Sequence, residues 1–457
     1  MDFDDLLVNC LRLLREKADV LQRYQEHFAH VLVDEYQDTN TIQAETVDKL
    51  VARTRNVLVV GDDFQSIYGW RGADYRNILS FPERYPDART YRLETNYRSV
   101  PEILAVANAC MAGNPEQFQK TLRPTREPYR KPRVFKVRDG DEQARCVVSL
   151  IRQFRQDGYK LSDMAVLYRA HFHALELERT LPRERLSYVI TSGVRFFEQA
   201  HIKDVSSVLR ILACPGDEMA FGRLLRMLPG VGDRTAEKLW AKLGRRFDVR
   251  DEAQRSLLNE ALKAAARADW KKIEPVLTAY WAEALNADGG EVVDRFVKAF
   301  YAEYAVNTYE EWETRLDDVT ALVTDMGRCE SVEEFLSDMA LLTNLDSEVD
   351  PLNADGQEVL KLSTVHQAKG LEWPVVIILW ACEGMFPSSR SLQDSAGGES
   401  EERRLFYVAV TRAKDELCLC VPEVRRTREG GVIYSPPSRF VREIPPQHVE
   451  EVRGSFF

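Results

Sequence analysis

Val31-Leu32-Val33-Asp34-Glu35-Tyr36-Gln37-Asp38 sets a short apolar run directly before two carboxylates. A second run, Asn56-Val57-Leu58-Val59-Val60, ends in Gly61-Asp62-Asp63 in the same manner. Short apolar strands between helical stretches predict a parallel sheet with both faces buried. Upstream, Leu7, Cys10, Leu11 and Leu14 fall at i, i+3, i+4 and i+7, so a helix is expected there. In open α/β sheets, ligands bind beyond the C-terminal ends of the strands, where these acids fall. An Asp there can hold Mg²⁺ through its waters, and a neighbouring Glu can orient or deprotonate a water. Taken alone, Asp34-Glu35 reads more simply as an acidic loop, since the dipeptide is common.

Further strands are expected at Ala165–Tyr168, 375–380 and 417–421, whereas 190 to 355 reads as mostly helical. That order describes an α/β fold interrupted by a helical insert. The chain has 457 residues, 44% of them hydrophobic and 30% charged. That is enough for several buried cores and excludes disorder, collagen and a disulfide miniprotein. The apolar run from Val375 to Cys382 is too short to span a bilayer, so no membrane partner is expected. Cys418 and Cys420 alternate as in a strand and suit core packing rather than zinc. Eight dispersed cysteines and an acidic N-terminus point to the cytoplasm.

The formal net charge of −11 argues, taken whole, against a nucleic-acid partner. Resolved by segment it does not. Residues 310 to 358 hold fifteen acids against Arg315 and Arg328, which leaves the rest of the chain at about +2. That stretch is expected to be a solvated helical face turned away from DNA. Residues 120 to 138, with eight bases against Glu127, read as an extended surface segment able to contact phosphates.

Four more segments carry chemistry. Gly61-Asp62-Asp63-Phe64-Gln65-Ser66-Ile67-Tyr68-Gly69-Trp70-Arg71-Gly72 offers an amide to a phosphate, and aromatics beside an arginine, a group that stacks on unpaired bases. Leu93-Glu94-Thr95-Asn96-Tyr97-Arg98-Ser99 follows. Thr364-Val365-His366-Gln367-Ala368-Lys369-Gly370-Leu371-Glu372 and the run from Glu401 to Lys414 come much later. Singly, each arginine reads as a surface charge and His366 as a loop histidine. Together, colinear and so spaced, the segments resemble the motor motifs of superfamily 1A DNA helicases, the UvrD/Rep family.

The resemblance implies RecA-like parallel-sheet motor domains, the first truncated, with a mainly helical accessory insert. Its divisions fall at 1–92 (first motor), 93–190 and 358–457 (second motor) and 191–357 (insert). It implies an ATP-dependent 3′→5′ DNA helicase, with ATP and Mg²⁺ as cofactors, single-stranded DNA and single-strand/duplex junctions as partners, and DNA repair as a setting. Asp34 would coordinate Mg²⁺ and Glu35 would activate water. Gln65 would read the γ-phosphate, and Arg98 and Arg412 would be arginine fingers. Tyr97 would stack on adenine and Glu372 would contact the ribose. Tyr68, Trp70, Arg71 and His366 would face single-stranded DNA. In the insert, Leu228-Pro229-Gly230-Val231-Gly232 before a helix resembles a helix-hairpin-helix, with Gly230 and Gly232 at a DNA phosphate. Ser192-Gly193-Val194-Arg195-Phe196-Phe197-Glu198 and Ile202-Lys203-Asp204 resemble the segment that enters the insert.

A phosphate-binding loop is expected to end in Gly-Lys-Ser/Thr, and Gly-Lys occurs nowhere in these residues. Three alternatives follow: a helicase fragment inactive alone, a non-catalytic DNA-binding module, or half of a split motor completed in trans.

Overall fold

The structure, a computed structural model, describes residues 3–453 except 116, 192–194, 283–287, 328, 330, 345–357, 395–396 and 427–430. Ser192, Gly193 and Val194, and the acids Glu330, Asp346, Glu348, Asp350 and Asp355, thus lie outside the described residues.

Two short strands, β1 (Val31–Val33) and β2 (Val57–Val59), pair in parallel. Val33, Val57 and Val59 pack on a small core of Tyr36, Ala44, Ile78 and Phe81. The opposite face carries Leu32, 70% exposed, and Leu58, 53% exposed. The expectation of burial on both faces is therefore corrected. Successive side chains of a strand alternate sides, and only the valine side meets a packed layer. Helix α1 (Phe3–Glu16) turns Leu11 and Leu14 inward and leaves Cys10 exposed. Helix α2 (Thr41–Val51) starts in a reciprocal cap, with Gln43 N–H donating to Asn40 and Asn40 N–H to Gln43.

A second sheet has seven strands, all parallel. They are β3 (Arg133–Val137), β4 (Met164–Tyr168), β5 (Tyr188–Ile190), β6 (Leu360–Thr364), β7 (Trp373–Ile378), β8 (Ala413–Pro422) and β9 (Glu450–Arg453). Their spatial order is β9-β3-β8-β7-β4-β6-β5. All five side chains of β4 are buried, as are Cys418 and Cys420 on β8. The cysteines pack in the core as expected, but burial on β8 is continuous rather than alternating. Helices α3 (Pro101–Met111) and α4 (Gly140–Gln156) pack against β8.

Between β5 and β6 the described residues are mostly helical and have their own core around Phe221, Trp240, Trp270 and Phe296. There α5 (Glu218–Arg226) and α6 (Asp233–Lys242) flank a hairpin in which Gly230 has φ +71°. A side chain at that position would be strained, which explains the glycine.

Both charged stretches depart from expectation. On α7 (Trp312–Met326), Asp318 and Asp325 are buried. Asp325 pairs with Arg179, Asp317 with Arg390 at 2.7 Å, and Asp318 with His201 at 3.1 Å. Arg179 and Arg390 lie outside the insert, so part of this acidic stretch faces the second sheet's layer rather than solvent. In the basic stretch, residues 133–137 form a strand inside the sheet. Seven of its eight bases (all but Lys131) have acidic partners: Lys120, Arg123, Arg126, Arg130, Arg133, Lys136 and Arg138. Little of the +7 remains as a free phosphate-binding charge, because the neighbouring elements bring acids to it.

Beside β4, His173 is buried with no partner for Nδ1, and its carbonyl accepts Trp380 Nε1–H at 3.0 Å. Burial, reinforced by Arg169, pushes its pKa down to about 3. The folded imidazole stays neutral, whereas the unfolded chain takes up a proton below about pH 6.5. Stability should thus fall as pH drops below about 6.5, by up to about 1.4 kcal/mol per unit from this residue. Urea midpoints at about pH 7.5 and about pH 5.5 should differ, and His173→Gln should narrow the gap. An undiminished gap in that variant would count against the assignment.

Candidate nucleotide and DNA interface

Beyond β1, Asp34 and Glu35 stand exposed at the strand's C-terminal end. Glu35 has a left-handed φ of 49°, and its N–H donates to Asp34 Oδ1 at 2.9 Å. Buried Gln37 joins the two acidic turns. Its Nε2 donates to Glu35 at 2.5 Å and to Asp38 at 3.3 Å, while its Oε1 accepts Asp62 N–H at 2.9 Å.

Gln65 is held on both sides. Its Nε2 donates to Asp62 at 2.7 Å, and its Oε1 accepts from Arg412 Nη2 at 3.3 Å. Arg412 follows α8 (Gly398–Val410) and is 1% exposed. It also donates to Val408 O at 3.0 Å and Leu371 O at 3.1 Å. Burial, with Arg98 beside it, lowers its pKa to about 10, so it remains cationic at neutral pH. Arg98 pairs with Glu372 and reaches Thr411 O at 3.3 Å. Lys414 pairs with Glu372 at 2.8 Å and, with Arg98, holds that carboxyl below its usual range.

Sequence reasoning missed two lysines. Lys369 pairs with Asp38, donates to Gln65 O at 2.9 Å and stands 3.6 Å from Glu35. Burial raises the Asp38 pKa despite this partner. Lys120 pairs with Asp62 and Asp63 and lies 3.8 Å over the Phe64 ring. Lys369 lies between His366 and Glu372 in the sequence. Lys120 reads as part of the basic stretch, but its pairing is not foretold there, since its partners are more than fifty residues away.

The aromatic residues gather alongside. Tyr68 O–H donates to His366 O at 3.2 Å. The Trp70 ring meets His366 edge-on at 6.4 Å, and the Arg71 guanidinium lies 4.4 Å over Trp70. Trp70 remains 47% exposed. Burial, with Arg169 and Arg71 nearby, holds the His366 imidazole neutral.

Elements from both sheets' layers thus meet along one seam, with carboxylates, an amide and two arginines at one end and, at the other, half-buried Tyr68 and His366 beside exposed Trp70. The profile described as UvrD-like helicase C-terminal domain matches residues 91–423. That described as UvrD/REP helicase N-terminal domain matches residues 1–86. The chain belongs to the UvrD/Rep helicase family. It is 38% identical to DNA helicase II of Escherichia coli (strain K12) across 99% of this chain and 64% of that relative. It is 35% identical to ATP-dependent DNA helicase PcrA of Bacillus subtilis (strain 168), across 99% of this chain and 62% of that protein. The chain therefore spans under two thirds of the length of these relatives.

Not every expected residue joins the seam's contacts. Tyr97 stands 77% exposed, and Gly230 and Gly232 sit in the helical insert. Among the described residues no group of three or more His, Cys, Asp or Glu is arranged to hold a metal. Mg²⁺ ordinarily takes one or two carboxylates, with waters and substrate phosphates filling the other positions. The exposed Asp34 carboxylate fits that role.

Asp63 is fully buried and depends on Lys120 for charge compensation. Lys120→Met should cost about 3–5 kcal/mol, because it leaves a buried carboxylate unpaired. Urea unfolding reads this directly; a loss comparable to an exposed pair, under about 1 kcal/mol, would mean that solvent or another group already compensates Asp63.

Proposed function

We propose that this chain supplies the catalytic acids, the arginine pair and the DNA-stacking surface of an ATP-dependent 3′→5′ DNA helicase. The observation that carries the reading is Gln65. One amide links Asp62, in the turn after β2, to Arg412, which follows a helix of the seven-stranded layer. A phosphate arriving between them would meet Gln65 and both arginines at once.

In this reading Asp34 holds Mg²⁺ and Glu35 takes the proton of an attacking water. Arg98 and Arg412 neutralise charge on the transferred phosphoryl group, with rigid donors that need no reorganisation. Bound Mg²⁺ contributes further neutralisation of the phosphate oxygens. Tyr97 offers its exposed ring to adenine, and Glu372 an acceptor to the ribose. Tyr68, Trp70, Arg71 and His366 receive single-stranded DNA, and the Gly230–Gly232 hairpin a duplex phosphate near a junction. The division at 1–92, 93–190, 191–357 and 358–457 and a cytoplasmic setting in DNA repair belong to the same proposal. No described helix is long and apolar enough to cross a membrane.

The 457 residues contain no Gly-Lys phosphate loop. The exposed Leu32 and Leu58 face of the β1–β2 sheet favours further polypeptide packed there, in cis or in trans, over a free-standing DNA-binding module. Purified alone, the chain should hydrolyse ATP in single turnover no faster than its Arg412→Ala variant, with or without DNA. Clear hydrolysis that Arg412→Ala abolishes would show that these residues suffice.

DNA binding is tested separately. Trp70→Ala should weaken binding of an oligo(dT) strand by about tenfold, the usual size of one lost base-stacking contact. Fluorescence anisotropy measures it, and wild-type affinity in the variant would remove Trp70 from the DNA site.

A further inference from the structure

α8 does more than lead into Arg412. Glu401, Arg404 and Tyr407 recur every three residues along it and share one face. Each meets the segment between Phe64 and Tyr75. The Gly69 N–H donates to the Glu401 carboxylate. The approach is close enough that a Cβ at Gly69 would lie 2.8 Å from Glu401 Oε2, so the carboxylate fills the space a larger residue would take. Arg404 lies 3.8 Å over the Tyr75 ring. It is buried, and among the described residues its Nε and Nη2 have no hydrogen-bond partner, so the ring face and the nearby Glu401 contribute to stabilising its charge. Tyr407 meets Phe64 edge-on at 5.3 Å. Together with Arg412 on Gln65, one helix grips this segment from its phosphate-facing end to its aromatic end.

We propose that Glu401 is a positioning residue that fixes the Gly69–Arg71 turn, and that α8 is the rigid element linking the stance of Trp70 to that of Arg412. The inference rests on the DNA role proposed for Trp70. Trp70 directly follows Gly69, so a turn released from Glu401 lets the indole leave its edge-on position against His366. A helix transmits the shift because its side chains along one face keep fixed spacing, here over about two turns from Glu401 to Tyr407. The pair Arg404 and Tyr75 keeps the far side of the turn in register while Glu401 holds the near side. Glu401 does not touch nucleic acid in this scheme; it acts through the backbone that carries Trp70.

The test uses the 457-residue chain and a fluorescent oligo(dT) strand. Glu401→Ala should bind about tenfold more weakly, the size of one hydrogen bond to a charged group. Glu401→Gln keeps an acceptor for the Gly69 N–H and should recover most of that loss. Glu401→Ala combined with Trp70→Ala should bind no more weakly than Trp70→Ala alone, because the two changes remove one interaction. Amide hydrogen exchange across residues 66–76 should rise in Glu401→Ala and stay low in Glu401→Gln, with or without DNA. A general loss of stability would instead raise exchange in both layers and add to the Trp70 effect. Additive losses, failure of Glu401→Gln to recover binding, or unchanged exchange in Glu401→Ala would each overturn the proposal. Should Trp70→Ala bind as wild type, the DNA reading fails, and the exchange result alone then decides whether Glu401 holds the turn.

Discussion

The Arg412 guanidinium is nearly devoid of solvent, and its direct partners are neutral oxygens, those of Val408, Leu371, Thr411 and Gln65. A buried charge without an adjacent counter-charge is costly. Its compensation comes from a distance, through Asp62 and Glu372, while Arg98 opposes it. Those two acids are themselves engaged by Lys120, and by Arg98 and Lys414. The seam between the two layers is therefore a balanced charge network in which each member is held by another. Lys369 stands 3.6 Å from Glu35 and donates to Gln65 O, Arg412 reaches the Gln65 amide oxygen, and Arg98 is close enough to Arg412 to oppose its charge.

The same logic explains where the charges of a chain that is 30% charged have gone. Local counting assigns residues 120–138 a free positive surface and residues 310–358 a free negative one. Three-dimensional contact removes much of both. Arg130 and Arg133 share the buried Glu416, Arg126 reaches Asp415, and Lys120 crosses to Asp62 and Asp63. On the acidic side, Asp325 and Asp317 hold the insert against Arg179 and Arg390. Fixed pairs at moderate burial act as registration devices more than as sources of net stability.

What was legible in the sequence follows from the range of the forces involved. β4 and β7 showed because a buried parallel strand must be a continuous apolar run, and β1 showed through the same kind of run although its Leu32 face is exposed. β9 did not, since Glu450-Glu451-Val452-Arg453 has no apolar period. It joins the sheet edge through backbone pairing with β3 and an ion pair from Lys136 to Glu451 at 2.8 Å. The motif residues of the seam were legible as types in a spacing. Their partners were not: Gln37 looks like any loop glutamine until it is seen bridging Glu35 and the Asp62 amide. The spacing of Leu7, Cys10, Leu11 and Leu14 foretold the helix but not which of them is buried, because a helical stripe read from spacing alone does not say how wide a face its neighbours cover.

The insert's position bears on the aromatic end of the seam as well. Arg71 lies over Trp70, and its Nη2 stands 4.0 Å from Glu311, just ahead of the insert helix whose acids hold Arg179 and Arg390. That pair is exposed and long, so it adds little energy. Its geometry still matters, because the guanidinium that lies over the Trp70 indole is shared with the insert. Gln65 and Trp70 are only five residues apart on one segment, and α8 grips that segment from the other layer. The aromatic end, the arginine end and the insert therefore cannot shift independently without breaking one of a small number of named contacts.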